Sequence, residues 1–330
     1  MSDLARTPQP SARRVADALS ESPIAEATSA IRSPVPPTTI GPKAFAWGTR
    51  TFVMGIVNVT PDSFSGDGLL DATGPETHSP TDRVRAAVAL GRAMVDEGAD
   101  LLDVGGESTR PGHEPVPTAD EMARVVPVVE ALRAALPNVP ISVDTTKAAV
   151  AAAALDAGAS LLNDVWGVST DDAMRRLAAE RQVPIVLMHN RAEARYADVV
   201  AEVVADLRAA IERATDLGVP DASIILDPGI GFGKTAEHNV TLLRRLAALH
   251  VLGRPVLLGT SRKSTLGRIL GLPPTERVEA TVATTALGIA AGVDVIRVHD
   301  VQANVRAARV ADAIVRGVPL PPDQSSGGPR

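Results

Sequence analysis

The stretch from residue 139 to residue 165, VPISVDTTKAAVAAAALDAGASLLNDV, decides the fold class. It holds a short apolar run at Ile141–Val143, an alanine-rich segment at Lys147–Ala157 that ends at Gly158, and a second apolar run at Leu161–Val165. Short runs that are almost wholly apolar are typical of parallel strands buried on both faces, and glycine directly after a helical segment is a common helix stop. The stretch therefore predicts a strand, a helix and a second strand, which is the repeating unit of a parallel α/β protein.

The same alternation continues on both sides of this stretch. The other predicted strands are Phe52–Val57, Leu101–Val104, Ile185–Met188, Ile224–Leu226, Val256–Leu258 and Val293–Val298. The other predicted helices are Asp82–Glu97, Ala119–Ala135, Asp171–Glu180, Ala197–Leu217, Ala236–Leu249, Glu276–Ala291 and Gln302–Arg316. Eight strand–helix units in succession favour a closed (β/α)8 TIM barrel over an open doubly wound sheet, although the alternation alone would fit both.

Composition limits the classes of function. The chain has 330 residues, of which 45% are hydrophobic and 22% charged, with a net charge of −6 and no cysteine. The acidic balance and an aromatic content of 2% disfavour nucleic-acid binding. The lack of cysteine excludes disulfides and cysteine metal sites, and it fits a reducing, cytoplasmic location. No apolar run reaches the roughly 18 residues of a membrane span, so no membrane partner is expected.

The chain is predicted to have three parts. Residues 1–45 are rich in Pro, Ser, Thr and Ala and predict a disordered N-terminal extension. Residues 46–318 hold the alternating pattern and predict the barrel, for which about 250 residues are typical. Residues 319–330 are rich in Pro, Gly and Ser and predict a flexible tail.

Polar side chains follow every predicted strand, from Asn58 after the first to Arg297 and His299 at the last. An Asp or Asn in such a position usually caps the next helix or closes a turn, and Asp164 and Asp300 fit that ordinary role. Similarly, His189, which follows the fifth predicted strand, is better interpreted as a packed histidine than as a catalytic residue. However, the loops after the strands of a barrel share one face, so these polar groups are predicted to converge on an active site at the barrel mouth.

The residue types at this mouth indicate the chemistry. Ionised aspartates accept hydrogen bonds from the N–H groups of a polar heterocycle. Arg262, Lys263, Arg297 and His299 follow the last two strands, where barrels frequently bind phosphate. The sequence has no nucleophile elbow, no His-Glu-x-x-His zinc motif and no P-loop, so hydrolase, metalloprotease and kinase functions lack support.

Three blocks carry a close resemblance to the dihydropteroate synthase family. They are residues 58–64 (NVTPDSF), 106–112 (GESTRPG) and 261–264 (SRKS). The resemblance runs from about Phe52 to the end of the last helix. It implies a TIM barrel that condenses (7,8-dihydropterin-6-yl)methyl diphosphate with 4-aminobenzoate, giving 7,8-dihydropteroate and diphosphate in folate biosynthesis. It also implies Mg²⁺ as cofactor, a cytoplasmic homodimer and competition by sulfonamides.

The resemblance also implies a role for each site residue. The pterin pocket would be formed by Asp144, Asn163, Met188, Asp227, Phe232 and Lys263. The diphosphate would be held by Asn58, Arg297 and His299, with Asn58 also binding the magnesium ion. The 4-aminobenzoate pocket would be formed by Thr109, Arg110, Pro111, Ser261 and Lys263. The catalytic residues would be Asp67, Arg110 and Lys263. Many family members carry the first-loop acidic residue one position earlier than Asp67, and this departure bears on its assignment.

Two other functions compete with this one. A methyltetrahydrofolate methyltransferase domain is also a pterin-binding barrel, but it does not need the blocks around Arg110 and Lys263 or the diphosphate residues Arg297 and His299. A silent paralogue that only binds pterin or a protein partner would be expected to have lost parts of the site. All the residues named above are present, so the sequence favours the synthase.

Overall fold

The computed structural model of the chain describes residues 35–60, 79–107, 115–169 and 171–320. Its strands are β1 (Thr38–Ile40), β2 (Lys43–Phe45), β3 (Phe52–Asn58), β4 (Leu101–Gly105), β5 (Ile141–Asp144), β6 (Leu161–Asp164), β7 (Ile185–Met188), β8 (Ile224–Asp227), β9 (Leu257–Leu258) and β10 (Val295–Val298). Its α-helices are α1 (Pro80–Asp96), α2 (Thr118–Ala135), α3 (Ala148–Asp156), α4 (Ala173–Arg181), α5 (Val199–Asp216), α6 (Ala236–Arg244), α7 (Ser264–Leu270), α8 (Val278–Ala290) and α9 (Val301–Val315).

Strands β3 to β10 form one parallel sheet that closes on itself. Consecutive strands pair in chain order from β3 to β8, and β10 pairs with both β3 and β9. The remaining seam is closed by a parallel bridge between Leu226 and Val256, where the Leu226 amide donates to the Pro255 carbonyl at 2.9 Å. The predicted TIM barrel is therefore confirmed, and the open doubly wound sheet is excluded.

Two apolar cores hold the barrel together. The larger lies between the strands and the helices and includes Val104, Leu132 and Leu207, each fully buried. The smaller fills the amino end of the barrel interior, with Met54 and Leu257 among its buried members. The strands are apolar on both faces because one face meets the helices and the other meets the interior.

The amino end of the barrel is covered by a hairpin that corrects the predicted extension. Composition predicted disorder up to residue 45, but β1 and β2 pair as antiparallel strands within that range. Ile40 and Phe45 are buried against the base of the barrel, so this segment contributes enough apolar surface to order itself. Residues 1–34 and residues 321–330 of the predicted tail lie outside the described ranges.

The helices follow the prediction with two differences. The predicted helix Ala236–Leu249 ends at Arg244 as α6, and a 3₁₀ segment, Leu246–Leu252, follows it. The short helix α7, after β9, was not predicted at all, because the polar Ser-Arg-Lys-Ser block conceals its start. In the described ranges, no helix combines the length and the apolar character that a membrane crossing requires.

Candidate active site

Polar residues meet inside the barrel at the carboxyl ends of five strands. They are Asp103 on β4, Asp144 on β5, Asn163 on β6, Asp227 on β8 and Arg297 on β10. All four acidic and amide side chains are buried. These residues converge because neighbouring parallel strands end at the same face of the barrel. Asp144, for example, lies in register with Asn163 on the next strand.

Arg297 ties two of the carboxylates together. Its Nε donates to Asp103 Oδ2 at 2.6 Å, and its Nη2 donates to Asp144 Oδ2 at 2.6 Å. Asn163 Nδ2 also donates to Asp103 Oδ2 at 3.0 Å. Burial by itself would lower the pKa of Arg297, but the two carboxylates outweigh it and raise that pKa. The guanidinium is thus permanently charged and held in one orientation.

Each of these two aspartates keeps one buried oxygen available. Asp103 Oδ1 and Asp144 Oδ1 have no hydrogen-bond partner within the described part of the chain. A buried acceptor without a donor destabilises a fold by about 1–3 kcal/mol, so such atoms mark places where a ligand supplies the donor. Burial also raises the pKa of Asp144 to about 7. The interior is therefore suited to a ligand that presents N–H groups.

Asp227 faces the same interior from the opposite side. Its Oδ1 accepts from the Gly229 amide at 2.7 Å, and burial raises its pKa to about 6. Beyond it, the Lys263 Nζ lies 3.9 Å from the ring centroid of Phe232, which is a cation–π contact. Met188 on β7 pairs in register with Asp227 on β8, and its side chain is also buried. A flat heterocycle would find apolar walls and charged edges here.

The loops after β9 and β10 add a second polar cluster. Ser261 Oγ lies 2.9 Å from His299 Nδ1 and accepts from the His299 amide at 3.1 Å. Arg262 makes two hydrogen bonds to Asp300, at 3.1 and 2.7 Å. The backbone of Arg262 has a positive φ of 57°, a conformation that residues other than glycine rarely adopt. This arrangement turns the Ser-Arg-Lys-Ser block toward the mouth.

Asn58 ends β3 beside Gly105 on β4 and is partly exposed at the mouth. The residues that the structure describes contain no group of three or more acidic or histidine side chains that could hold a metal ion. Mg²⁺ commonly uses only one or two protein ligands and completes its shell with water and substrate phosphates. An amide oxygen at the mouth fits that requirement as one ligand among several.

The structure brings most of the predicted site residues together at this mouth. Asn58, Asp144, Asn163, Met188, Asp227, Phe232, Ser261, Lys263, Arg297 and His299 all lie on the carboxyl ends of strands or on the loops that follow them. The predicted residues Asp67, Thr109, Arg110 and Pro111 lie outside the described ranges.

Asp103 lies near the end of the second predicted strand, but no site role was predicted for it. The only sequence signal was one acidic residue inside the apolar run of β4, and such a residue also fits a turn or a cap. Full burial beside Arg297 is what reveals its role.

A closed barrel whose mouth combines buried carboxylates with an arginine and a lysine defines an enzyme class that binds a small polar substrate at its strand ends. The sequence pattern of the pterin binding enzyme family matches residues 54–299. A dihydropteroate synthase of Clostridium beijerinckii is 48% identical over 278 residues, which cover 84% of this chain and 99% of that relative.

Solved structures agree with this match. A Xanthomonas albilineans dihydropteroate synthase with 4-aminobenzoic acid has a TM-score of 0.78 and 44% identity, covering 86% of this chain and 100% of that one. The same enzyme in complex with 7,8-dihydropteroate has a TM-score of 0.75 and 43% identity, with the same coverage. The chain belongs to the dihydropteroate synthase family.

Proposed function

We propose that this chain condenses (7,8-dihydropterin-6-yl)methyl diphosphate with 4-aminobenzoate to give 7,8-dihydropteroate and diphosphate. The observation that carries the proposal is the pair of buried oxygens on Asp103 and Asp144 that have no hydrogen-bond partner among the described residues, on side chains held in place by Arg297. The N–H groups of a pterin ring would supply the missing donors. We place the reaction in the cytoplasm, in keeping with a chain that has no cysteine to form disulfides.

The reaction is a substitution at the methylene carbon of the pterin. The bond from this carbon to the diphosphate oxygen breaks, a bond to the arylamine nitrogen forms, and that nitrogen then loses a proton. The buried carboxylates of Asp144 and Asp227 would stabilise positive charge on the pterin. Arg297 and His299 would hold the negative charge of the departing diphosphate. No side chain is required as a nucleophile.

The loops complete the arrangement in this proposal. Lys263, above Phe232, would contact the pterin on one side and 4-aminobenzoate on the other, with Ser261 nearby. Thr109, Arg110 and Pro111 would form the rest of the 4-aminobenzoate pocket, where sulfonamides would compete. Asp67 would stabilise the cation. Exclusion of water by the loops would prevent hydrolysis of that cation.

Magnesium is part of the proposal. Asn58 would be its protein ligand, and the ion would neutralise charge on the leaving diphosphate.

The test is product formation from the two substrates, measured with magnesium and again with a chelator. Magnesium-dependent release of dihydropteroate and diphosphate is the expected result. Folded protein that binds the pterin diphosphate but forms no product would instead indicate a silent pterin-binding paralogue.

We also propose that two copies of the chain form a dimer. Helices α8 and α9 pack against each other, and they carry exposed apolar side chains at Leu287, Val310 and Ile314, the last being 79% exposed. Val310 and Ile314 are four residues apart and share one face of α9. A second copy would bury this face. Light scattering should give twice the mass of one chain, and Ile314→Glu should shift it to a monomer. A monomeric parent protein would contradict the proposal.

A further inference from the structure

Lys234 lies below the loop that follows β8, and its ammonium group contacts several acceptors. Its Nζ lies 3.0 Å from the Gly229 and Phe232 carbonyl oxygens and 3.2 Å from that of His189. It also lies 2.9 Å from His189 Nδ1. Nζ therefore joins the loop after β8 to the end of β7. These contacts are to carbonyl oxygens and to the His189 ring, and they include no carboxylate of the pterin site among the described residues.

His189 has its hydrogen-bonding direction fixed by its neighbours. Its Nε2 lies 3.0 Å from Asp206 Oδ2 on α5, and the same oxygen accepts from Arg191 at 2.8 and 3.0 Å. Burial, followed by the charge of Lys234, lowers the pKa of His189 to about 4, so the ring is neutral. A neutral ring that donates to Asp206 from Nε2 must accept at Nδ1, and Lys234 is the donor. His189 is a packed histidine, as predicted.

Two glycines bring the loops after β7 and β8 into close contact. Gly229 has a φ of 68°, and a Cβ there would lie 1.8 Å from the His189 carbonyl oxygen. A Cβ at Gly233 would lie 2.2 Å from the Arg191 carbonyl oxygen. Tyr196 adds a hydrogen bond from its hydroxyl to the Gly233 carbonyl at 2.8 Å. The loop after β8 thus rests directly on its neighbour, with Lys234 between them.

This loop carries the pterin side of the site. The Gly229 amide orients the Asp227 carboxylate, and Phe232 packs under the ammonium group of Lys263. We infer that Lys234 is a positioning residue, which sets Asp227 and Phe232 for the pterin by holding the Gly229 and Phe232 carbonyls. This inference rests on the proposed function. It concerns the pterin before 4-aminobenzoate, because the loop held by Lys234 carries both the Gly229 amide that orients Asp227 and the Phe232 ring.

The test is Lys234→Met, which keeps an unbranched side chain one atom shorter than lysine and removes the donors. The KM for the pterin diphosphate should rise on the order of 10-fold or more, because small displacements of positioning groups are costly. The KM for 4-aminobenzoate should change by a clearly smaller factor, because Lys234 reaches the groups of that pocket only indirectly, through Phe232 and Lys263. Lys43→Met is the matched control. Lys43 also donates to a backbone carbonyl, that of Asp100 at 3.2 Å, but at the amino end of the barrel. Both KM values should be unchanged there.

Calorimetric binding of the pterin diphosphate alone separates this inference from the proposed function. A parent protein that binds the pterin but makes no product would reject the synthase activity and still allow the comparison of affinities. Tyr196→Phe is a milder variant that removes only the hydroxyl contact to the same loop, and it should weaken pterin binding in the same direction by a smaller factor. Unchanged pterin affinity in both variants, or an equal loss for the two substrates, would overturn the role given to Lys234.

Discussion

The two ends of the barrel use the same arginine–aspartate pairing in opposite ways. At the amino end, Arg316 Nε donates to Asp312 Oδ1 at 2.8 Å, and Thr51 donates to both oxygens of Asp312, at 2.7 and 2.9 Å. At the mouth, Arg297 donates to one oxygen of each aspartate that it contacts, and the other oxygen has no donor in the part of the chain that the structure describes. A fully satisfied pair stabilises the fold, whereas a partly satisfied pair is costly until a ligand completes it.

The two ends of the barrel also differ in their aromatic packing. Phe45, Trp47 and Phe52 form a cluster at the base, with ring centroids 4.8–5.6 Å apart. Trp47 Nε1 donates to the Thr38 hydroxyl at 2.9 Å, so even the polar edge of this cluster is satisfied. The aromatic contacts at the amino end are of the kind that stabilise a fold, while the carboxyl end holds the buried charge that a ligand can use.

The largest effect is expected from Arg297→Met. This change removes the cation that orients two buried carboxylates and that would bind the diphosphate, so kcat/KM should fall about 10³-fold. Steady-state kinetics with both substrates measures the loss. A decrease of less than about 10-fold would remove Arg297 from the site.

Arg316→Met is the matched change at the amino end. It removes the arginine paired with the buried Asp312, which should lower the free energy of unfolding by about 3 kcal/mol and the Tm by roughly 6–12 °C. Below the unfolding transition, kcat/KM should equal that of the parent protein. Loss of activity in the folded Arg316 variant would break the comparison between the two ends.

A smaller effect on kcat/KM is expected from Lys263→Ala. The ammonium group above Phe232 would contact both substrates, so its removal should lower kcat/KM about 10²-fold. The side chain does not belong to either apolar core, so circular dichroism should show an intact fold. Near-normal turnover would contradict its assignment to both pockets.

The smallest effect concerns stability and comes from Asp144→Asn. The pKa of Asp144 is raised from 3.8 to about 7 by burial, so the free energy of unfolding decreases as the pH rises through this interval. The amide cannot ionise, and the ligand-free variant should melt roughly 2–4 °C higher than the parent at about pH 8. The gain should shrink at about pH 5.

The same variant should bind the pterin diphosphate more weakly, although its ligand-free form should be more stable. The asparagine loses a charged acceptor, so the affinity for the pterin diphosphate should fall on the order of 10- to 100-fold. Calorimetry of both proteins checks this. A variant that melts lower at every pH would show that ionised Asp144 stabilises the ligand-free barrel.

Much of the site was predictable because barrel topology converts position along the chain into position in space. Asp144 and Asp227 directly follow predicted strands, and Asn163 and Arg297 lie within the last residues of predicted strands. Parallel strands place such residues at one end of the barrel. The role of Asp103 was not predicted because the sequence does not say which interior oxygen lacks a donor. The hairpin of residues 38–45 escaped because its composition resembles a linker, while its order depends on the barrel base beneath it.

The sequence by itself determined the strand–helix alternation and indicated the family, since periodicity and short motifs can be read from neighbouring residues. It favoured the closed barrel, but the strand pairing across the seam is what established closure. Tertiary structure alone decided which charges are paired and which are left for a ligand. It decided that Arg297 joins Asp103 to Asp144 across 194 and 153 residues of chain, and that Lys234 links two loops through the neutral ring of His189. The reason is physical, because burial and hydrogen-bond geometry set both the cost of a charge and its pKa, and neither is a property of a residue taken alone.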